Sequence, residues 1–144
     1  MQTIILPDQA KSFTDLFMLA LAIYREARGE EMSAKIAVGC AIRNRVQHPA
    51  WYGRDWFDCI TKPYQFSSFN IGEPNSIIFG SPTDLAWKQS IDAAPRVMQG
   101  EPDPTGGATF YFDRSLDKNP PKWASLYLHT VDIRAFHFYK PKLA

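Results

Sequence analysis

Cysteine is scarce in this chain of 144 residues: Cys40 and Cys59 are the two present, too few and too far apart in sequence for a disulfide framework. Cys40 lies within an apolar helical stretch and reads as a small core residue. Charge of one sign is also missing. Sixteen basic against fifteen acidic side chains leave a formal charge of +1, with no dense Lys/Arg run to follow a phosphate backbone, so nucleic acid is not the expected partner. Long apolar runs are absent too. The one apolar segment, residues 16–24, is too short to cross a bilayer, and the N-terminus lacks the basic region of a secretory signal. No stable membrane insertion and no export signal are therefore expected.

Several catalytic signatures are missing as well. The histidines, His48, His129 and His137, lie at no zinc-binding spacing, so neither a metal nor another cofactor is expected. There is no Gly-x-Ser-x-Gly elbow, and neither cysteine carries a nucleophile signature. Thr105-Gly106-Gly107 is glycine-rich but lacks the Lys-Ser/Thr of a phosphate loop; its glycines suit a tight turn or a close backbone approach to a ligand.

What is present is a ring-rich globular composition, 45% hydrophobic and 14% aromatic, enough for one domain with a sizeable core. Such rings fill a core by default, and flat side chains also stack on sugar faces. Residues 1–11 read as an irregular lead-in, and Ser12 with Asp15 resembles a capping box opening a helix over 13–27 that is apolar almost all round. A second helix carries Ile36, Ala37, Cys40, Ala41 and Asn44 at helical spacing and stops at His48-Pro49. A short turn of helix is expected over 55–60. Residues 61–80 read as a loop in which Gln65 and Ser67 alternate with Tyr64, Phe66 and Phe69, a mixture suited to an uncharged polyhydroxyl ligand.

Ser81, Pro82 and Asp84 then mark a helix start, with Ser81 as N-cap, a buried stripe of Trp87, Ile91, Ala94 and Met98, a kink at Pro95 and an end at Gly100. After the turn cluster 101–107, residues 108–112 read as an aromatic strand. Val131 and Ile133, with Phe136 and Phe138, read as a hairpin turning at Arg134-Ala135. The expected fold is α+β: a single, mainly helical domain over 1–144 with a small antiparallel β element.

The chemistry concentrates where the first helix ends, in Ala22-Ile-Tyr-Arg-Glu-Ala-Arg-Gly-Glu30. Glu26 and Glu30 project together if the helical turn persists through Gly29. Spacing alone favours solvated charges on a surface helix end. A carboxyl at the end of a buried apolar helix, however, has its pKa raised towards the working pH, as a general acid requires. A glutamic acid kept protonated can donate to a glycosidic oxygen, otherwise a poor leaving group.

That block, followed by Ile36-Ala-Val-Gly-Cys-Ala-Ile-Arg-Asn-Arg-Val46, Gln65-Phe-Ser67, Asp103-Pro-Thr-Gly-Gly-Ala108 with Phe110-Tyr-Phe112, and His137-Phe-Tyr139, resembles the cell-wall hydrolase family of the SleB and CwlJ spore cortex-lytic enzymes. The resemblance spans about residues 15–139. It implies a lysozyme-like or lytic-transglycosylase-like core acting on peptidoglycan glycan strands, with Glu26 as the catalytic acid and Glu30 in a supporting role. Asn44, Tyr64, Gln65, Phe66, Ser67, Thr109 and Tyr111 are the substrate-binding candidates, and the protein is expected to be a monomer. The implied reaction cleaves the β-1,4 bond between N-acetylmuramic acid and N-acetylglucosamine, leaving 1,6-anhydro ends, or reducing ends if water attacks. A departure from the family pattern is Glu31, where proline or a small residue is expected. With no export signal, the expectation is a lysin delivered by other means, as for a phage endolysin released through a holin, or an intracellular or mother-cell enzyme. Two further classes remain: a non-catalytic glycan-binding module, and an amidase whose metal ligands the three histidines do not supply by spacing.

Overall fold

The computed structural model describes residues 7–48, 52–62 and 79–142. Among them lie four α-helices, α1 (Pro7–Ala27), α2 (Met32–Gln47), α3 (Trp56–Thr61) and α4 (Leu85–Met98), followed by β1 (Phe110–Asp113), β2 (Leu128–Ile133) and β3 (Phe136–Lys140). Two short 3-10 turns, Arg114–Leu116 and Lys122–Ser125, separate β1 from β2. The mainly helical α+β architecture expected from the sequence is the one observed.

The core is built where α1, α2 and α4 meet. Leu19, Ile23, Val38, Ile42 and Val97 are all fully buried there. Gly39 permits the close approach: a Cβ on it would lie 2.8 Å from Val97 and 3.1 Å from Ile23, inside van der Waals contact. Cys40 is fully buried as well, and burial pushes its thiol up to about 11, so it is a core residue rather than a nucleophile.

Two helix starts differ from expectation. α1 begins at Pro7 rather than at Ser12, so the lead-in is shorter than 1–11. Proline suits a first helical turn because its missing N–H has no intrahelical partner there. Asp15 does not cap; it sits inside the helix and receives Lys11 Nζ at 3.1 Å. α4 starts at Leu85, with Asp84 rather than Ser81 as N-cap, its carboxylate accepting from the Ala86 N–H at 2.9 Å. The buried side of α4 is Ser90, Ala93, Ala94 and Val97. Of the expected stripe, Ala94 is buried and Trp87 and Met98 pack partly buried against the core, whereas Ile91 is about half exposed.

The sheet is antiparallel in the order β1-β3-β2. The β2–β3 hairpin turns at Arg134-Ala135 as expected, with Arg134 at φ 52°. Phe136 and Phe138 are buried in the main core, and Tyr111, Val131 and Ile133 pack against it; this is the inner face of the sheet. On the outer face Phe112 meets His137 and Tyr139, and Phe110 meets Trp123 and Tyr127, a second aromatic cluster.

Candidate active site

Glu26 lies one residue before the end of α1. The helix stops at Ala27 because the chain turns at once into α2: the Glu30 N–H donates to the Ala27 carbonyl at 3.1 Å, and Glu31 becomes the N-cap position of α2. The turn is held from inside by Lys35, a fully buried lysine. Its ammonium donates to the Arg28 carbonyl at 3.2 Å and to the Glu30 carbonyl, satisfying backbone acceptors of the turn between the two helices. Burial lowers the Lys35 pKa. The condition for Glu26 and Glu30 to share a helical face therefore fails, since the helix ends before Gly29. Glu31, the departure from the family pattern, reaches the hairpin turn: Arg134 Nη2 lies 2.6 Å from its Oε2.

The inner face of the sheet covers Glu26. Tyr111, in the middle of β1, donates its hydroxyl to Glu26 Oε1 at 2.5 Å across 85 residues of sequence. Burial pushes the Glu26 carboxyl above the ordinary glutamate range, opposed by the Tyr111 hydrogen bond and then by the charge of Arg45. Burial is also the main reason that the Tyr111 hydroxyl is held well above its ordinary value, with Glu26 adding to it. Tyr111 thus serves as a fixed donor at neutral pH.

Arg45, on α2, is buried, and burial lowers its pKa. Its Nε donates to the Thr109 carbonyl at 2.5 Å, and its guanidinium lies over the rings of Tyr52 and Phe110 at 5.4 and 5.1 Å. A buried cation so placed favours the anionic carboxylate. Glu26 is therefore held between apolar burial, which favours its protonated form, and Tyr111 with Arg45, which favour its charged form. A carboxyl poised in this way can give up a proton and take one back.

Tyr111, one of the substrate-binding candidates, has its hydroxyl engaged with Glu26 and its ring edge-on to Phe136. Thr109 is buried; its hydroxyl accepts from Tyr52 at 3.0 Å and its carbonyl from Arg45, so it supports β1 and offers little surface to a ligand. Asn44 donates its side-chain amide to Asp103 Oδ2 at 2.9 Å and to the Ala108 carbonyl at 2.8 Å. Asp103 also accepts from the Thr105 and Gly107 N–H groups, and Gly106 and Gly107 take φ of 69° and 84°, angles that favour glycine. Asn44 and the glycine turn thus form one clamp that delivers β1 to Glu26. Tyr64, Gln65, Phe66 and Ser67 lie outside the described residues.

Arg45, Lys35 and Tyr52 were not singled out by the sequence. The repeated arginine of Arg43-Asn44-Arg45 in an apolar helix was the available signal, since a buried charge in a core helix needs a partner.

Glu26 thus lies at the end of the first helix of a mainly helical domain, its carboxyl covered by a three-stranded sheet. The profile of the family described as Cell Wall Hydrolase matches residues 29–139. The chain belongs to that family. Glu26 lies three positions before the matched range. Spore cortex-lytic enzymes are similar in sequence, that of Halalkalibacterium halodurans at 33% identity over 71% of this chain and 28% of its own length. That of Bacillus subtilis is 30% identical over 78% of this chain and 33% of its own. The chain thus spans about a third of the length of such relatives. Among solved structures, the catalytic domain of the germination-specific lytic transglycosylase SleB from Bacillus anthracis superposes with TM-score 0.69 at 26% identity, covering 88% of this chain and 93% of that domain. The catalytic domain of SleB from Bacillus cereus gives 0.66 at 29%, covering 89% and 91%.

Proposed function

We propose that this protein is a peptidoglycan lytic transglycosylase that cuts glycan strands at the β-1,4 bond between N-acetylmuramic acid and N-acetylglucosamine, with Glu26 as its acid and base. The observation that carries this reading is the Tyr111 hydroxyl on Glu26 Oε1 at 2.5 Å, beneath a sheet that desolvates the carboxyl. The family membership and the SleB catalytic domains support it.

Protonated Glu26 donates its proton to the bridging oxygen as the bond from that oxygen to the muramoyl C1 breaks. Tyr111 holds Oε1, which leaves Oε2 to carry the proton. The sugar develops oxocarbenium character, and the new carboxylate is stabilised by Tyr111 and by the charge of Arg45. The carboxylate then takes the proton of the muramoyl 6-hydroxyl as that oxygen bonds to C1. The products are a free 4-hydroxyl on one sugar and a 1,6-anhydro ring on the other; no water is consumed, and Glu26 ends protonated.

Mass spectrometry of digested peptidoglycan tests the proposal. Anhydro-muramoyl ends are expected from the wild type, and none from a folded Glu26→Gln variant. Reducing ends would redefine the enzyme as a muramidase, released stem peptides as an amidase, and retention on peptidoglycan without any change of mass as a binding module. Undiminished cleavage by Glu26→Gln would remove Glu26 from the chemistry.

A further inference from the structure

The outer face of the sheet carries a second constellation that takes no part in the glycan-cleaving site. Asp132 Oδ1 lies 2.6 Å from His129 Nε2 and 2.7 Å from His137 Nδ1, and one ligand atom from each of the three residues falls within 4.8 Å of the others. Sequence spacing hides this convergence. In a regular strand, His129 and Asp132 would point to opposite faces, since side chains alternate. The pairing places His129 opposite Tyr139 and Val131 opposite Phe138, leaving Thr130 as an extra residue in β2. That bulge turns His129 onto the face of Asp132, and Asp132 sits directly across the ladder from His137. Bulges commonly re-aim side chains in this way beside functional sites.

We infer that His129, Asp132 and His137 form a binding site for a divalent transition-metal ion of the zinc class, with Asp117 as the outer carboxylate that orients His137. Two imidazole nitrogens and one carboxylate oxygen are the donor set that suits such an ion and ill suits magnesium or calcium. At bond lengths of about 2.0–2.2 Å, tetrahedral donors stand about 3.3–3.6 Å apart, so each histidine has to draw back from Asp132 by about 0.6–1 Å, and the two imidazole nitrogens, within 4.8 Å of each other, have to settle at that same spacing. A metal-bound histidine characteristically gives its other ring N–H to a carboxylate. Here His137 Nε2 lies 2.7 Å from Asp117 Oδ1 while Nδ1 faces the shared centre. The three donors border a cleft of about 560 Å³ that Asp117 and Ser125 also line. The fourth position of a tetrahedral ion is thereby left for water or an incoming oxygen ligand. The ion would join β2 to β3 and, through Asp117, to the turn that follows β1.

The test uses the tag-free full chain after chelation and dialysis, titrated with zinc by calorimetry and with cobalt(II) by visible absorption. One zinc ion per chain is expected, with the intense absorption of four-coordinate cobalt, a zinc-dependent rise in melting temperature, and no binding of magnesium. His129→Ala removes a half-exposed ligand and leaves the fold intact; it should weaken zinc at least tenfold, whereas His48→Ala should not. Asp117→Asn should weaken zinc by about 10–100-fold, the usual effect of losing an orienting carboxylate. Absence of stoichiometric zinc binding by the wild type overturns the site. So does zinc binding that survives His129→Ala unchanged.

Discussion

The two faces of the small sheet hold carboxylates in opposite electrostatic states. On the inner face burial pushes Glu26 up, with the Tyr111 hydrogen bond and Arg45 in opposition. On the outer face Asp132 is held below the ordinary carboxylate range, first by the hydrogen bond from His137 and also by that from His129. In return the same bond to Asp132, with a second to Asp117, raises His137. The backbone is common to both faces, and one residue along a strand separates Tyr111 from Phe112 and Phe138 from His137. What differs is water. Helices cover the inner face and strip solvent from its carboxyl, whereas the outer face stays partly wet and supplies partners that stabilise charge.

The largest expected effect on this contrast is chemical. Glu26→Gln should lower the rate of soluble fragment release from peptidoglycan by about 10²–10⁴-fold, the usual worth of a general acid, with an unchanged circular dichroism spectrum. Next comes packing. Phe138→Ala opens a cavity beneath the sheet and should cost about 3–5 kcal/mol in urea unfolding. His137→Ala, one position away on the outer face, should cost about 1 kcal/mol or less at neutral pH without metal, because partly exposed ion pairs contribute little. Equal losses from the two substitutions would erase the distinction between the faces.

Tyr111→Phe sharpens the comparison within the site. It removes the hydrogen bond that lowers Glu26, so the alkaline limb of the pH–activity profile should move to higher pH. Turnover should fall roughly tenfold, from the loss of about 1–2 kcal/mol of charge-assisted hydrogen bonding. A limb that moves towards acid would contradict the assigned direction.

The smallest effects are in stability against pH. Glu26 is raised in the folded state, so its contribution is complete below the ordinary glutamate value and is lost as pH rises through its folded pKa. Wild type should therefore lose stability relative to Glu26→Gln over that rise. The His137 contribution is likewise complete below the ordinary histidine value, about 6.5, and is lost only as pH climbs through its raised folded value. Asp132, being lowered, contributes above the ordinary carboxylate value and loses its contribution as pH falls through its folded one. Thermal melts of wild type and the two single variants, Glu26→Gln and His137→Ala, at stepped pH separate the windows.

Much of the helical framework was legible locally. The apolar run before Glu26, the stripe ending at His48-Pro49 and the alternation around Phe136 and Phe138 each match a structural period, so their elements could be named from spacing. Boundaries were less legible. Ser81 and Asp84 are both good caps, and their competition is decided by which turn lets Ala93, Ala94 and Val97 meet α1 and α2. Asn44 was visible as a polar residue in an apolar stripe, but its partner Asp103 lies far away in sequence, as Arg45 and Tyr52 do from Thr109.

By itself, then, the sequence determined that a glutamic acid would end a buried helix, because apolar periodicity and a glycine-bearing break are properties of neighbouring residues. Only the tertiary structure decided what that acid meets. It ended α1 at Ala27 and parted Glu30 from the helical face of Glu26. It brought Tyr111 across 85 residues to Glu26 Oε1, and through one extra residue in β2 gathered His129, Asp132 and His137. Hydrogen-bond partners and desolvation depend on which surfaces pack together, and that is a property of the assembled core rather than of any stretch of chain.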